Sequence, residues 1–157
     1  MYQKVVVLAL AVVCSGLVLS RSHADETSTE DLKQNAQMQN KAAASLYDQG
    51  VEANNNNDFQ KALPLFEQAL RADPDNPDIL NMLAHAQRKI GLIDESIANY
   101  KKALELRPRF PEAHEYLGEA YIQAAMREVA TLKNYGNDGR EELEDLSGDI
   151  KEAAQNL

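Results

Sequence analysis

Apolar residues return every three or four positions through the middle of the chain. Between residues 77 and 110 they form two such runs, which Gly91 separates. This spacing is typical of amphipathic helices, because the apolar positions of a half-buried strand would alternate instead. Asn76 suits the N-cap of the first run, Pro77 suits its first turn, and Pro108 ends the second run. The pattern therefore predicts two helices joined by a tight turn.

The same two-helix unit recurs with a period of 34 residues. The matched positions are Ala69-Leu70 with Ala103-Leu104, Phe66 with Tyr100, Pro74 with Pro108, and Leu83 with Leu117. A small residue returns in all three units, as Gly50, Ala84 and Gly118. Two helices of one hairpin approach closely only where no large side chain stands between them. We therefore expect a bulky residue at any of these three positions to force the helices apart.

The repeats resemble the tetratricopeptide repeat (TPR) family. The resemblance is carried by the stretches LYDQGVEANNNNDFQKALPLFEQALRADP, LNMLAHAQRKIGLIDESIANYKKALELRP and AHEYLGEAYIQ. It implies an all-α fold, a TPR-type α-solenoid of about three helix–turn–helix repeats with a C-terminal capping helix. In the third unit Ala125 replaces the usual turn glycine, and Arg127 and Asn134 stand where the family has large apolar residues. The second helix of that unit, about Arg127–Tyr135, departs most from the family pattern.

The first 24 residues have the form of a cleavable secretory signal. Lys4 precedes an apolar run, Val5–Leu19, and small residues follow it at Ser22 and Ala24. As a helix this run would reach about 22 Å, short of the roughly 30 Å hydrocarbon core, which argues against the alternative of a retained membrane anchor. The segment AHEYLGEAY and the acidic helix after it are also similar to small exported TPR proteins of Gram-negative bacteria. We predict a periplasmic or secreted protein, cleaved near Ala24.

The rest of the chain divides into an extension, an array and a cap. We predict a polar N-terminal extension at 25–42, repeats at 43–76, 77–110 and, in divergent form, 111–136, and an amphipathic capping helix at 137–157. The extension either continues the first repeat helix or projects from the array as a tether. A solenoid needs a cap because its last repeat otherwise exposes an apolar face. The apolar stripe of the predicted cap is Leu143, Leu146, Ile150, Ala153 and Leu157.

Charge and cysteine content exclude several functions. With 25 acidic and 16 basic residues the net charge is −9, so no basic face is available to bind nucleic acid. The single cysteine, Cys14, lies in the signal, so the cleaved chain has no disulfide, thiolate metal site or thiol nucleophile. His85 and His114 lack the spacing of metal ligands, and no nucleophile has a matching base. We therefore expect no catalytic residue, no metal and no cofactor. The repeat register places His114 between hairpin helices, where we expect it to pack.

In the TPR family the first helix of each repeat lines a concave groove. Carried over residue by residue, the resemblance implies a groove of Tyr47, Asp48, Val51, Asn54 and Asn55 from unit one, Asp78, Asn81, Met82, His85, Arg88 and Lys89 from unit two, and Glu112, Glu115, Tyr116, Glu119, Ile122 and Gln123 from unit three. Tyr47, Met82 and Tyr116 fall in comparable places and form a predicted apolar or aromatic track. The groove acids favour a basic or neutral ligand.

These features predict a non-enzymatic adaptor that binds a peptide or protein segment in its groove. The alternative is a structural protein whose arrays associate with one another, through their ends or through the apolar stripe of the groove. Nucleic acid is not expected as a partner, nor is a membrane once the signal has been cleaved.

Overall fold

The computed structural model describes residues 21–155, with side chains from residue 29 onward. The apolar run of the predicted signal and the last cap residue, Leu157, lie outside the described residues. In chain order the helices are α1 (Arg21–Asn55), α2 (Phe59–Ala72), α3 (Pro77–Lys89), α4 (Ile93–Leu106), α5 (Pro111–Asn134), a short 3₁₀ helix (Gly136–Gly139) and α6 (Arg140–Gln155). The described residues contain no strand, so the predicted all-α class is confirmed.

The described part of the chain divides into two units, one ending at residue 42 and the other beginning at residue 43. In the first unit, every side chain from 29 to 42 is exposed, and its backbone is helical from Arg21 as part of α1. The polar composition of this stretch accounts for the exposure, since it offers little apolar surface to bury. Among the described helices none is both long and apolar enough to cross a membrane.

The second unit begins with regular hairpins whose ends follow the sequence closely. The Asn76 side chain accepts hydrogen bonds from the backbone N–H groups of Asp78 and Ile79 at 3.0 and 3.2 Å, and Pro77 is the first residue of α3. The predicted N-cap is therefore confirmed. Gly91 has φ of +87°, a left-handed conformation that glycine adopts without strain, and it allows the chain to turn from α3 into α4.

Each of the first two hairpins pairs a small residue with a buried aromatic ring. A Cβ atom added at Gly50 would lie 2.6 Å from the ring of Phe66, which is itself fully buried in α2. Ala84 is likewise fully buried and packs in one cluster with Tyr100 of α4. The close approach predicted from the repeat register is therefore found in both hairpins.

The third unit differs from this arrangement. Helix α5 continues for 24 residues without turning at Ala125, because alanine favours the helix where a glycine would end it. Gly118 is exposed, and a Cβ atom added there would meet no atom within 4 Å, so the expected close helix contact at Gly118 is wrong. Arg127 forms a bidentate ion pair with Asp94 at the start of α4, with N–O distances of 3.0 and 3.1 Å. This pair ties the extended part of α5 to the preceding hairpin.

Two further expectations for the C-terminal part need correction. His114 is exposed and its Nε2 lies 3.1 Å from the carbonyl oxygen of Pro108, so it does not pack between helices. Helix α6 has no fully buried residue, and only its first half, through Leu143 and Leu146, is half-buried. Ile150 is 38% exposed, and Ala153 is also exposed. The described part of the cap stripe therefore covers the array only in part.

Candidate binding face of the first helices

The predicted groove residues lie on α1, α3 and α5, and we call this surface the first-helix face. Its centre is a chain of contacts between the three helices. Nδ1 of His85 lies 2.9 Å from Oδ1 of Asn54, and the His85 ring lies 5.1 Å from the Tyr116 ring, centre to centre. The ring of Phe59, at the start of α2, approaches His85 edge-on at 5.9 Å. These contacts join one residue from each first helix.

Arg88 was predicted as a groove cation, but it is only 4% exposed. Its Nη2 atom lies 2.6 Å from Oε2 of Glu119, and its guanidinium lies 5.7 Å from the centre of the Tyr116 ring. Burial of a guanidinium is tolerated when a carboxylate and an aromatic face surround it. Arg88 is therefore a structural contact between α3 and α5 rather than a free positive charge.

Burial also changes the titration of Tyr100, which lies beneath this contact. Its pKa is raised to about 12 by burial, and the nearby Arg88 guanidinium opposes part of that rise. The Tyr100 hydroxyl remains protonated at physiological pH and contributes no charge to the face.

A second ion pair removes another predicted groove charge. The Asp78 carboxylate accepts two hydrogen bonds from Arg107, at 2.7 and 2.6 Å, and the Arg107 guanidinium lies 4.7 Å from the centre of the Phe110 ring. The pKa of Tyr47 is raised, first by its burial and then by the negative charges of Asp78 and Asp48. At this end of the face Arg107 therefore balances the charge of Asp78, and Tyr47 provides a polar, uncharged hydroxyl.

The structure separates the predicted residues into three groups. Those engaged in contacts between helices are Asn54, Asp78, His85, Arg88, Tyr116 and Glu119. Those packed in or against the core are Tyr47, Val51, Asn81 and Met82. Those exposed are Asp48, Asn55, Lys89, Glu112, Glu115, Ile122 and Gln123. The exposed group contains three acids and one cation, so the accessible part of the face is acidic.

Sequence reasoning missed Phe59 and Arg107, which come from outside the first helices. Arg107 lies 29 residues after Asp78, and Phe59 opens a second helix. Neither carries a local signal, because each meets its partner only when neighbouring units stack. Among the described residues, no group of three or more histidine, cysteine or acidic side chains is arranged to hold a metal ion.

Stability should depend on pH through His85. Its pKa is lowered from 6.5 to about 4, first by burial and then by the positive charges of Arg88 and Lys89. As the pH falls, the unfolded chain therefore binds a proton at His85 before the folded chain does. The stability that this site contributes is fully present above pH 6.5 and is lost as the pH falls toward 4. Between pH 8 and pH 5 we expect wild type to lose about 1–2 kcal/mol more than His85→Phe, measured by urea unfolding.

The exposed His114 provides the matched control for this measurement. His114→Gln should follow the wild-type curve at every pH, since its ring makes a surface contact only. Equal pH slopes for wild type and His85→Phe would show that the buried imidazole is not the titrating group.

Two repeat-family profiles match the chain. The "Tetratricopeptide repeat" profile matches residues 53–98 and the "TPR repeat" profile matches residues 88–124. A curated relative, the Protein SGT1 homolog of Oryza sativa subsp. japonica, is 33% identical over 92 residues, which cover 59% of this chain and 24% of the relative. The chain thus spans about a quarter of the length of that relative.

Solved structures with a similar backbone are TPR domains, and they show a similar fold. The crystal structure of the Sgt2 TPR domain from Aspergillus fumigatus has a TM-score of 0.51 and 25% identity, and the match covers 72% of this chain and 82% of that domain. The first TPR of Spaghetti (RPAP3), bound to the HSP90 peptide SRMEEVD, has a TM-score of 0.53 and 17% identity, covering 71% and 95% of the two chains.

Proposed function

We propose that this chain, whose residues 53–124 match tetratricopeptide repeat profiles and whose fold is a TPR solenoid, is an exported, non-enzymatic adaptor. It binds a peptide or a segment of a protein on its first-helix face. Repeat arrays of this kind use an extended surface built from successive units, which suits a ligand that is itself extended.

The observation that carries this proposal is the arrangement of the first-helix face. Contacts such as Asn54–His85 and His85–Tyr116 fix the first helices relative to one another before any ligand arrives. A surface that is already ordered loses little conformational entropy on binding, so it can use its contacts for affinity. Half-buried Tyr47 and Met82 offer apolar contact area beside the polar residues.

Charge indicates the chemistry of the ligand. Asp48, Glu112 and Glu115 are exposed, and none of them forms an ion pair within the described part of the chain. The RPAP3 domain binds the peptide SRMEEVD, which carries two glutamates and an aspartate against one arginine and so is acidic overall. Such a peptide would meet like charges on the face described here, so a basic or neutral segment is the better fit.

Export rests on the amino-terminal pattern alone. The basic residue Lys4, the apolar run Val5–Leu19 and the small residues up to Ala24 support cleavage that leaves Asp25 as the first residue. Mass spectrometry of the protein recovered from its native cells tests this directly. A chain that still begins at Met1 would contradict export by cleavage.

The binding face can be tested by reversing its charge. In a crosslinking pull-down from native extract, we expect the triple variant Asp48→Lys, Glu112→Lys and Glu115→Lys to lose a partner that wild type captures. All three side chains are exposed, so the variant should keep the wild-type circular dichroism spectrum.

The matched control reverses three exposed acids on the second helices, through Glu67→Lys, Glu95→Lys and Glu105→Lys. It changes the net charge equally and should retain the partner. Loss of the partner in both variants would indicate binding by total charge, and retention in both would place the site on another surface. Recovery of the protein alone would favour self-association over the adaptor function.

A further inference from the structure

In the first two repeats a second helix packs against the small residue of the first helix, Gly50 or Ala84. In the third repeat no second helix packs against Gly118. The small residues Gly50 and Ala84 face the aromatic rings of Phe66 and Tyr100 from their own hairpins. Gly118 occupies the same register position one repeat later, yet nothing lies within 4 Å of a Cβ atom added there. The position that would supply the next aromatic ring, 34 residues after Tyr100, is Asn134 at the end of α5. The third unit therefore exposes the surface that the second helix of the hairpin covers in the first two units.

An apolar cleft between α5 and α6, with a volume of about 490 Å³, begins at Tyr121, about one helical turn after Gly118. Its lining residues are Tyr121, Ile122, Ala125, Met126, Ile150, Ala153 and Ala154. Four of the larger side chains are strongly exposed: Tyr121 by 49%, Ile122 by 65%, Met126 by 58% and Ile150 by 38%. Apolar side chains clustered on both walls of a cleft mark a surface that another apolar face can cover.

The charges beside the cleft discriminate between occupants. Helix α6 carries six acidic side chains and two cationic ones, and those adjacent in sequence to the lining residues are Asp149, Lys151 and Glu152. The nearest cation on α5, Arg127, already pairs with Asp94 and Glu128. A second copy of this chain, with a net charge of −9, would bring like charges together at this surface. A basic helix would meet opposite charges.

We propose that the α5–α6 cleft docks an amphipathic helix from another protein, with an aromatic residue placed against Gly118 and lysine or arginine residues along its flanks. The docked helix replaces in trans the second helix that the third repeat lacks, and it presents apolar anchors at the helical spacing of three and four residues. This site shares only Ile122 with the first-helix face, and the acids reversed in the test of that face, Asp48, Glu112 and Glu115, do not line it, so either site can fail without the other.

The chain itself provides a suitable probe. The α2 segment, Phe59–Ala72, carries Phe66, which packs on Gly50, and it has a net charge of +1. We would synthesise this segment with Gln60→Lys and Pro64→Asp joined by a lactam bridge, because both positions are exposed and the bridge keeps a short peptide helical. Fluorescence anisotropy of the labelled peptide against the full chain measures the dissociation constant.

We expect saturable binding that becomes weaker with added salt, because opposite charges contribute to it. A Phe66→Ala version of the peptide should bind about tenfold more weakly or worse, since it loses a buried ring. The Gly118→Leu protein should weaken binding of the parent peptide by a similar factor, because its side chain fills the space for that ring.

The matched control is Gly148→Leu on α6, another exposed glycine at which an added Cβ atom meets nothing within 4 Å. This variant should bind the peptide as wild type does. Absence of saturable binding up to about 1 mM protein, or equal binding by the Gly118→Leu and wild-type proteins, overturns the proposal. Sedimentation of the full chain alone tests the other occupant. A dimer that Gly118→Leu abolishes would assign the cleft to a second copy and also overturn the proposal.

Discussion

Replacing Gly50 with leucine is expected to destabilise the folded chain by about 3 kcal/mol, because a Cβ atom at that position would already collide with the Phe66 ring. The ring is fully buried between helices and cannot move aside without opening the first hairpin. Domains of this size are stable by only about 5–15 kcal/mol, so the loss should be evident in the midpoint of urea unfolding followed by circular dichroism.

The matched substitution is Gly118→Leu, at the equivalent place in the third repeat. There the added side chain enters open space at an exposed position of α5, so we expect stability to rise by up to about 1 kcal/mol as leucine replaces a poor helix former. Similar losses for both variants would mean that α5 does have a partner helix at Gly118. No loss for Gly50→Leu would mean that the first hairpin is wider than the structure shows.

Removing the partner of a buried cation should produce the second large effect. Glu119→Leu leaves the Arg88 guanidinium, whose side chain is 3% exposed, without its carboxylate. We expect a loss of about 2–3 kcal/mol, below that of a fully buried pair because the Glu119 side chain is 44% exposed. Chemical unfolding of the purified variant gives the value.

The double variant Arg88→Met with Glu119→Leu is the control for this interpretation. It removes both charges and replaces them with apolar groups, so most of the lost stability should return. If the double variant were as unstable as Glu119→Leu alone, packing at residue 119 rather than an unpaired charge would explain the loss.

The first two hairpins follow from the sequence because each of their signals is local. A cap at Asn76, a proline in the first turn of α3 and a glycine at Gly91 act within a few residues. The small residues at Gly50 and Ala84 require only that each unit folds back on itself. Periodicity then places the aromatic partners of both units correctly.

The third unit could not be predicted in the same way, since its register was carried over from complete repeats. Gly118 and His114 were expected to face a returning helix. With alanine at position 125 the helix continues, and both residues are exposed instead. The departures of the third unit from the repeat pattern thus change the surroundings of positions up to three turns away.

The charge of the first-helix face was only partly predictable. Asp78 and Arg88 lie on the predicted helices, but Arg107 and Glu119 neutralise them from neighbouring elements. Ion pairs between repeats depend on stacking geometry, which the spacing within one repeat does not specify. The acids Asp48, Glu112 and Glu115 form no such ion pair within the described part of the chain, and they are exposed on the first-helix face.

The absence of fully buried residues in α6 has a consequence for local unfolding. The logarithm of the protection of an amide hydrogen is proportional to the free energy of the opening that exposes it, and a helix held by half-buried contacts opens without the rest of the domain. Amide exchange should therefore be fast in α6 and slow in α3, which contains fully buried leucine and alanine residues. A ligand that fills the neighbouring cleft would slow exchange in α6, so deuterium uptake there reports occupancy without any label on the partner.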